Sequence, residues 1–452
     1  MNQRNIQVFH DTMARLLHRG AQKNLSNIIE KSHFADLAQV LRMMDNVRDQ
    51  RAIFHLAAVE KKAQILGELE KQQALNLLEE MPYDDIVKIF QHMSSKDVTD
   101  IIGSLPDDVS KELLKLMEPK GSQVVEELLK YPQDSAGGIM STEFCALDRQ
   151  TTVAQTIHKF QSEGDLDNIF YVYVINQVGQ LVGVLSLRKL LQVKPETKIE
   201  DIMISDVIRV KADTDQEEVA KMVQSYNLLA LPVVDESNKL IGIITVDDIV
   251  DVIRDEAQED LLKMGGVGDV EISEKSSFKS ARSRLPWLFI SLIGGLIVFK
   301  LMVLFKTVIS ESVALVFFIP LIMGMTGNVA TQASTIVVSG LASGKLGMQK
   351  MGWIVWKELK VGLIFGLIYG VMVGVFANLQ LGVSFNHVGL MVGGALGASI
   401  VLGSVMGTLL PFVFERTRID PAFSTGPFVI TVVDIFGVAV YLYVAHLMYA
   451  AS

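Results

Sequence analysis

Asp434 lies about a dozen residues into an apolar run spanning 423–449, where an acid costs roughly 2.5 to 3.5 kcal/mol on membrane-insertion scales. A group held at that cost is a functional candidate by default, here a carboxylate for a cation; the structural alternative is a bond to a neighbouring helix. A second apolar run contains PLIMGMTGNVATQ, which sets Pro320, Gly324, Gly327, Asn328, Thr331 and Gln332 at mid-membrane depth. Helix breakers and amides there need protein or water around them. The run that carries Asp434 opens with DPAFSTGPFVITVVD, in which Gly426 and Pro427 are expected to loosen the first turns ahead of Thr431. Asp434, Asn328 and loosened backbone offer oxygen ligands alone, while His387 and His446 lie elsewhere. Oxygen-only coordination selects hard ions such as Mg²⁺, Ca²⁺ or Mn²⁺. Mg²⁺ keeps several waters, so one carboxylate per chain, doubled across a two-fold axis, makes a cation site.

A second group of acids sits outside the apolar runs. In DDIVDVIRDEAQED, residues 247–260, seven acids face Arg254 alone. On a helix Asp248, Asp251, Asp255 and Glu259 share one face, with Glu256 and Asp260 beside it. Such a run is either a solvated face or a surface for hard cations.

Five segments are long and apolar enough to cross hydrocarbon: 285–305, 313–340, 361–378, 388–414 and 423–449. Basic residues collect before the first (Lys279, Arg282, Arg284), between the second and third (Lys345, Lys350, Lys357, Lys360) and between the fourth and fifth (Arg416, Arg418). That asymmetry is expected to place the N-terminal domains in the cytosol and the C-terminus outside a cell (inner) membrane. The polar opening reads as no cleavable signal peptide. Gly362, Gly366, Gly370 and Gly374 in the third span, and Gly393, Gly397, Gly403 and Gly407 in the fourth, are spaced for close helix packing.

The 452-residue chain is split in charge: residues 285–452 hold eight basic and five acidic side chains, whereas residues 1–284 are acidic by about thirteen charges. An acidic front disfavours nucleic acid. Cys145 is the single cysteine, which excludes a disulfide framework and a thiolate metal cage. No His-Glu-x-x-His and no Gly-x-x-x-x-Gly-Lys-Ser/Thr occurs, so neither an intramembrane zinc protease nor an ATP-driven pump fits; an enzyme is not expected.

Residues 1–131 read as successive short helices, with Pro82 and Pro106, each followed by acids, spaced 24 apart and expected in first helical turns. A small all-α superhelical array is expected. From 138 onward two copies of one pattern follow: LVGVLSLRKLL from Leu181 parallels LIGIITVDDIV from Leu240. These copies, 138–200 and 201–256, resemble a tandem pair of CBS domains, an α/β module. The resemblance implies a sensor of adenine nucleotide or metal ion. Its nucleotide signature Gly-x-x-Ser/Thr-x-x-Asp is met by Gly242, Thr245 and Asp248 in the second copy, while Lys189 replaces the acid in the first. The structural alternative is that Gly242 serves the strand-to-helix turn and Asp248 a helix's first turn.

Taken end to end, the chain resembles the MgtE family of magnesium channels: an acidic helical N-terminal domain (1–131), the CBS pair, a connecting helix (257–284) and an α-helical transmembrane domain of five spans (285–452). The motifs that carry this are Pro320, Gly324, Gly327, Asn328 and Gln332, and Asp420, Pro421, Ala422, Gly426, Pro427, Phe428, Thr431 and Asp434. The resemblance implies a homodimer in the lipid bilayer that passes Mg²⁺ down its gradient through a pore at the dimer axis, with Asp434 as central carboxylate and Asn328 shaping the site. It further implies closure when Mg²⁺ binds the soluble domains, with Asp248, Asp251, Glu256, Glu259, Asp260 and Glu217 as ligands and Glu60, Asp97 and Asp100 as candidates opposite them. Some members are said to bind ATP at the CBS pair, and Asp248 belongs to both readings. Transport of Co²⁺, Ni²⁺ or Mn²⁺, or a non-conducting sensor, are the alternatives.

Overall fold

A computed structural model describes residues 3–163, 170–267, 276–311, 313–381 and 386–450. The chain divides into two compact units, Met1–Arg254 and Asp255–Ser452.

The first unit opens with an all-α array, ten helices among the described residues, from Gln3–His18 to Pro119–Leu128. Each is short because a cap or turn interrupts it: the Asn46 side chain accepts from Arg48 N, and Ser94 from Asp97 N. Pro82 and Pro106 stand at the N-cap, one residue ahead of the first turn where the sequence placed them, because the helices begin at Tyr83 and Asp107. The acids behind them, Asp84 and Asp85, Asp107 and Asp108, occupy the first turns, where the macrodipole favours negative charge. Helices pack on the next but one. Phe34–Met43, Val59–Glu68, Tyr83–Phe90 and Asp107–Leu116 form one row, and Val47–His55, Lys71–Leu78, Ser95–Gly103 and Pro119–Leu128 the other. Phe54, Leu37, Leu41, Ile65 and Leu77 fill the space between the rows.

The CBS copies are two sheets of one design. In the first, β1 (Ala146–Asp148) runs parallel to β2 (Tyr171–Ile175), which pairs antiparallel with β3 (Leu181–Ser186). In the second, β4 (Val210–Lys211), β5 (Ala230–Val234) and β6 (Leu240–Thr245) repeat the order, and both central strands carry a register shift at their last residue. Tyr173, Leu181, Val234, Leu240 and Ile243 form an apolar cluster that joins the copies. Gly242 lies inside β6 rather than in the strand-to-helix turn; a Cβ there would stand 2.6 Å from Met140 Sδ and 2.9 Å from the Ser141 carbonyl oxygen. Close cover by Met140 and Ser141, not turn geometry, is what requires glycine.

The helix Val246–Met264 begins directly after β6. The sequence predicts one connecting helix over 257–284, and here the structure differs: helix ends at Met264, and Gly265 and Gly266 form a turn in which Gly266 has φ +70°. Two glycines stop a helix at little cost. Residues 268–275 lie outside the described residues, and helix resumes at Ser277.

Among the described residues five helices are long and apolar enough to cross a membrane: Ser277–Leu304, Ala314–Ala342, Met351–Leu381, Asn386–Arg416 and Gly426–Ala450. The fourth is the most enclosed and packs on the second, third and fifth. Its Gly389, Gly393 and Gly397 meet glycines of the third span backbone to backbone, a Cβ on Gly370 standing 2.6 Å from the Gly393 carbonyl oxygen, whereas Gly403 and Gly407 abut Thr326 and Ala330 of the second span. The first span packs on the fifth and leaves Leu285, Leu288, Leu292, Leu296 and Phe299 bare, as a lipid-facing surface requires.

Candidate functional site

Asp434 sits in the fifth span, with Val433 and Gly437 buried on either side. Its Oδ1 is enclosed and has no hydrogen-bond partner among the described residues. A carboxylate oxygen shut away from water and protein donors is costly to leave unmatched. The second span faces it with Gly327, where a Cβ would stand 3.8 Å from that same oxygen. Thr326, one residue earlier, is fully buried against Gly403 and Gly437, and its hydroxyl is likewise without a partner among the described residues.

The second span does not break. Pro320 lies within the continuous helix Ala314–Ala342, early enough that losing one backbone bond is tolerated. The break expected at the fifth span falls ahead of its helix: residues Pro421–Ser424 form a 3-10 turn, capped by Asp420 Oδ1 accepting from Ala422 N at 2.8 Å, and the helix starts at Gly426 with φ +55°. Pro320, Gly324, Asn328 and Gln332, spaced four apart, form one exposed stripe of the second span, continued by Thr335 and Ser339. Thr331 and Thr431 turn inward on their own helices. Thr331 Oγ1 donates to the Gly327 carbonyl at 2.9 Å and Thr431 Oγ1 to the Pro427 carbonyl at 2.7 Å. Thr431 also packs on Gly294 of the first span.

The approach to the fifth span is tied down by Lys263, near the end of helix Val246–Met264. Its ammonium donates to Asp420 Oδ2 at 2.8 Å, pairs with Glu259 one turn earlier, and lies 5.5 Å from the Phe423 ring centre. Burial alone would lower the pKa of Lys263, but Asp420 and Glu259 outweigh it and raise it above the ordinary lysine value. Gly266 abuts Pro427, Gly426 abuts the Met264 carbonyl, and Trp287 stacks on Phe423 with centroids 5.6 Å apart. Only glycine fits at either point.

The other acids are spread along the soluble elements. Asp248 opens the helix after β6: its Oδ2 accepts from Thr245 N at 3.2 Å and from Thr245 Oγ1 at 2.7 Å. Its Oδ1 takes the ammonium of Lys96, from the helical array. Asp97 and Asp100 lie on the same helix as Lys96, so three of the acids singled out from the sequence gather around one ammonium. Burial pushes the Asp97 carboxyl up; Ser94 and Lys96 draw it back in part, and Asp100 and Asp248 add to the rise. Asp100 also pairs with Lys71 at 2.9 Å. Asp251 is exposed, Glu256 and Asp260 are half-buried, Glu217 pairs with Lys221 at 2.8 Å, and Glu60 is exposed in a first helical turn. Among the described residues, no three of His, Cys, Asp and Glu converge as a ready-made metal cage.

Sequence reasoning missed Lys96 and Lys263 as partners of these acids, and Asp420 as the second carboxylate on Lys263. The Glu259–Lys263 spacing of four was a readable helix pair; nothing local signals Lys96, which lies 152 residues from Asp248.

A five-span membrane domain in which the Asp434 Oδ1 is enclosed without a partner among the described residues, carried with a CBS pair and a helical array, has the make-up of a polytopic ion transporter with soluble domains. The family model described as a divalent cation transporter, MgtE, matches residues 319–444, the MgtE intracellular N domain matches 32–134, and CBS domains match 136–196 and 199–255. The magnesium transporter MgtE of Bacillus subtilis is 32% identical over 431 residues, covering 95% of both chains; that of Thermus thermophilus is 31% identical, covering 96% of this chain and 97% of its own. Solved structures of the soluble part of a magnesium transporter (29% identity, TM-score 0.50, 56% of this chain and 99% of that one) and of the cytosolic domain of the Mg²⁺ channel MgtE in complex with ATP (32%, 0.51, 54% and 99%) share the fold. The chain belongs to the MgtE family of magnesium transporters.

Proposed function

We propose that this transporter is a homodimeric Mg²⁺ channel whose ion path runs along the second and fifth spans and whose gate closes when Mg²⁺ binds the acids of the soluble domains. The observation that carries the path is the Asp434 Oδ1, enclosed opposite Gly327 and without a partner among the described residues. A hydrated Mg²⁺ supplies what that oxygen lacks, because its bound waters are strong donors and need few direct protein ligands. The glycine leaves room for the hydration shell. One chain leaves the polar stripe Asn328, Gln332, Thr335 and Ser339 bare, and side chains of that kind do not face lipid. A second copy across a two-fold axis covers the stripe and brings a second Asp434 to the same ion.

The basic loops support a cytosolic N-terminus and an outer C-terminus. Mg²⁺ at Asp248, Asp251, Glu256, Glu259, Asp260 and Glu217 relieves carboxylate repulsion, and its removal restores it. Glu259 is placed to pass that change on, since Lys263 joins it to Asp420 at the entrance of the fifth span. Nucleotide at Gly242, Thr245 and Asp248 is a second ligand of the same surface; the relative solved with ATP supports it.

The test is Mg²⁺ uptake into proteoliposomes by wild type and Asp434→Ala, over a range of Mg²⁺ on the side of the soluble domains. Wild type conducts and shuts as that Mg²⁺ rises, while Asp434→Ala falls to background with its dimer intact. Normal uptake by Asp434→Ala sinks the assignment.

A further inference from the structure

Where the third and fourth spans meet, a groove of about 570 Å³ runs between them, open along one side. Leu363, Leu367, Val371 and Val375 of the third span and Leu390 of the fourth wall it, each more than half exposed, over a floor of glycines. The lining is apolar apart from Asn378 at the far end, whose Oδ1 accepts from Gly389 N at 3.1 Å. From Leu363 to Asn378 the helix rises about 22 Å, more than half the roughly 30 Å of bilayer hydrocarbon. The same helix face continues back from Leu363, three or four residues at a step, to Lys360, Trp356 and Trp353. Both indoles are exposed, and Lys360 Nζ lies 5.4 Å from the Trp356 ring centre. Lys357 is exposed beside them and is drawn to the buried Glu358 at 3.6 Å, which leaves Lys360 as the ammonium in line with the groove. A general interfacial belt spreads such residues around a helix. Here they line up on the one face that leads into the groove.

We propose that this groove is a binding site for an anionic phospholipid, with an acyl chain lying between the third and fourth spans and the phosphate resting on Lys360 and the Trp356 indole. The two ends match the two halves of such a molecule. Bare leucine and valine walls take a hydrocarbon chain, and the glycine floor lets it lie close to the backbone. An ammonium attracts the headgroup charge, and an indole at the same level offers an N–H donor with an apolar ring beneath it. The site uses neither the ion path nor the acids of the soluble domains, so it stands independently of the proposed function.

The experiment reconstitutes the full-length protein in vesicles of equal parts phosphatidylglycerol and phosphatidylcholine, extracts it in mild detergent and counts the lipids it retains by native mass spectrometry. Wild type is expected to keep phosphatidylglycerol in excess. Lys360→Gln lowers that preference about fivefold, the share of one lysine at a membrane surface, while Lys360→Arg keeps it. Gly394 lines the groove where an added Cβ meets nothing within 4 Å, so Gly394→Leu fills the groove without disturbing the helix packing. It lowers retention of both lipids about tenfold. Unchanged retention in Gly394→Leu overturns the groove as the seat of the chain, and an unchanged preference in Lys360→Gln overturns the headgroup contact. A change in the number of protomers in Gly394→Leu overturns the proposal in favour of a second copy as the occupant.

Discussion

The carboxylates of the soluble elements and the carboxylate of the fifth span are treated in opposite ways. Asp248 is held by Lys96, Glu259 by Lys263, Glu217 by Lys221 and Asp100 by Lys71. Asp434 Oδ1 is enclosed with no partner among the described residues. Acids that already carry an ammonium bind a metal only by exchange, so their response is graded and comes at the concentration where Mg²⁺ outcompetes lysine. An orphaned carboxylate oxygen gains its first strong partner when the ion arrives, which suits a permeation site. Under the proposed function the same residue type serves sensing in one region and passage in the other, and a lysine partner on Asp248, Glu259 and Glu217 marks the difference.

The larger of two effects that sharpen this contrast is expected at Lys263, which bridges Glu259 and Asp420. Lys263→Met cuts the link between sensor acid and the fifth-span entrance, so flux measured at closing Mg²⁺ rises about five- to tenfold over wild type while open-state flux is kept. Residual flux equal to wild type would show that closure travels by another route.

A smaller effect is expected at Asp97. Its carboxyl pKa is raised chiefly by burial, so folding penalises its charged form. A raised carboxyl pKa makes stability fall as pH rises through that window, because the native state then holds a proton the unfolded chain has lost. Without Mg²⁺, Asp97→Asn is therefore expected to raise Tm at neutral pH by about 1–2 °C and to flatten the loss of stability on going from acid to neutral pH. A lower Tm, or an unchanged pH profile, contradicts the assignment of Asp97 to the repelling acids.

Much of this was legible in the sequence because it is local. Hydropathy marks the spans, since each must bury its own backbone bonds in hydrocarbon. The repeated Leu-x-Gly-x-x-Ser/Thr pattern marks the two sheets, and Asp434 declares itself as an acid in an apolar run. What escaped is what depends on partners far along the chain. Pro320 stands out as a helix breaker inside a span, but its place early in a long helix costs one backbone bond, and the helix continues. Gly242 suggested a turn, but Met140, more than a hundred residues upstream, is what excludes a side chain there. Thr431 belonged to the right motif, yet its hydroxyl bonds backward to Pro427 and its face packs on Gly294. The glycines at 265 and 266 are a local helix stop, and they end the helix inside the stretch where apolar and polar spacing alone predicts one connecting helix.

The contrast between the two kinds of carboxylate is tested most directly by one flux titration in proteoliposomes. Asp434→Asn is compared with a variant in which Asp248, Asp251, Glu256 and Glu259 are all replaced by Ala, as Mg²⁺ is raised on the side of the soluble domains. The account predicts that Asp434→Asn is silent at every concentration, while the quadruple variant conducts and no longer closes over the range that shuts wild type. Loss of conduction in the quadruple variant together with normal gated flux in Asp434→Asn would contradict it.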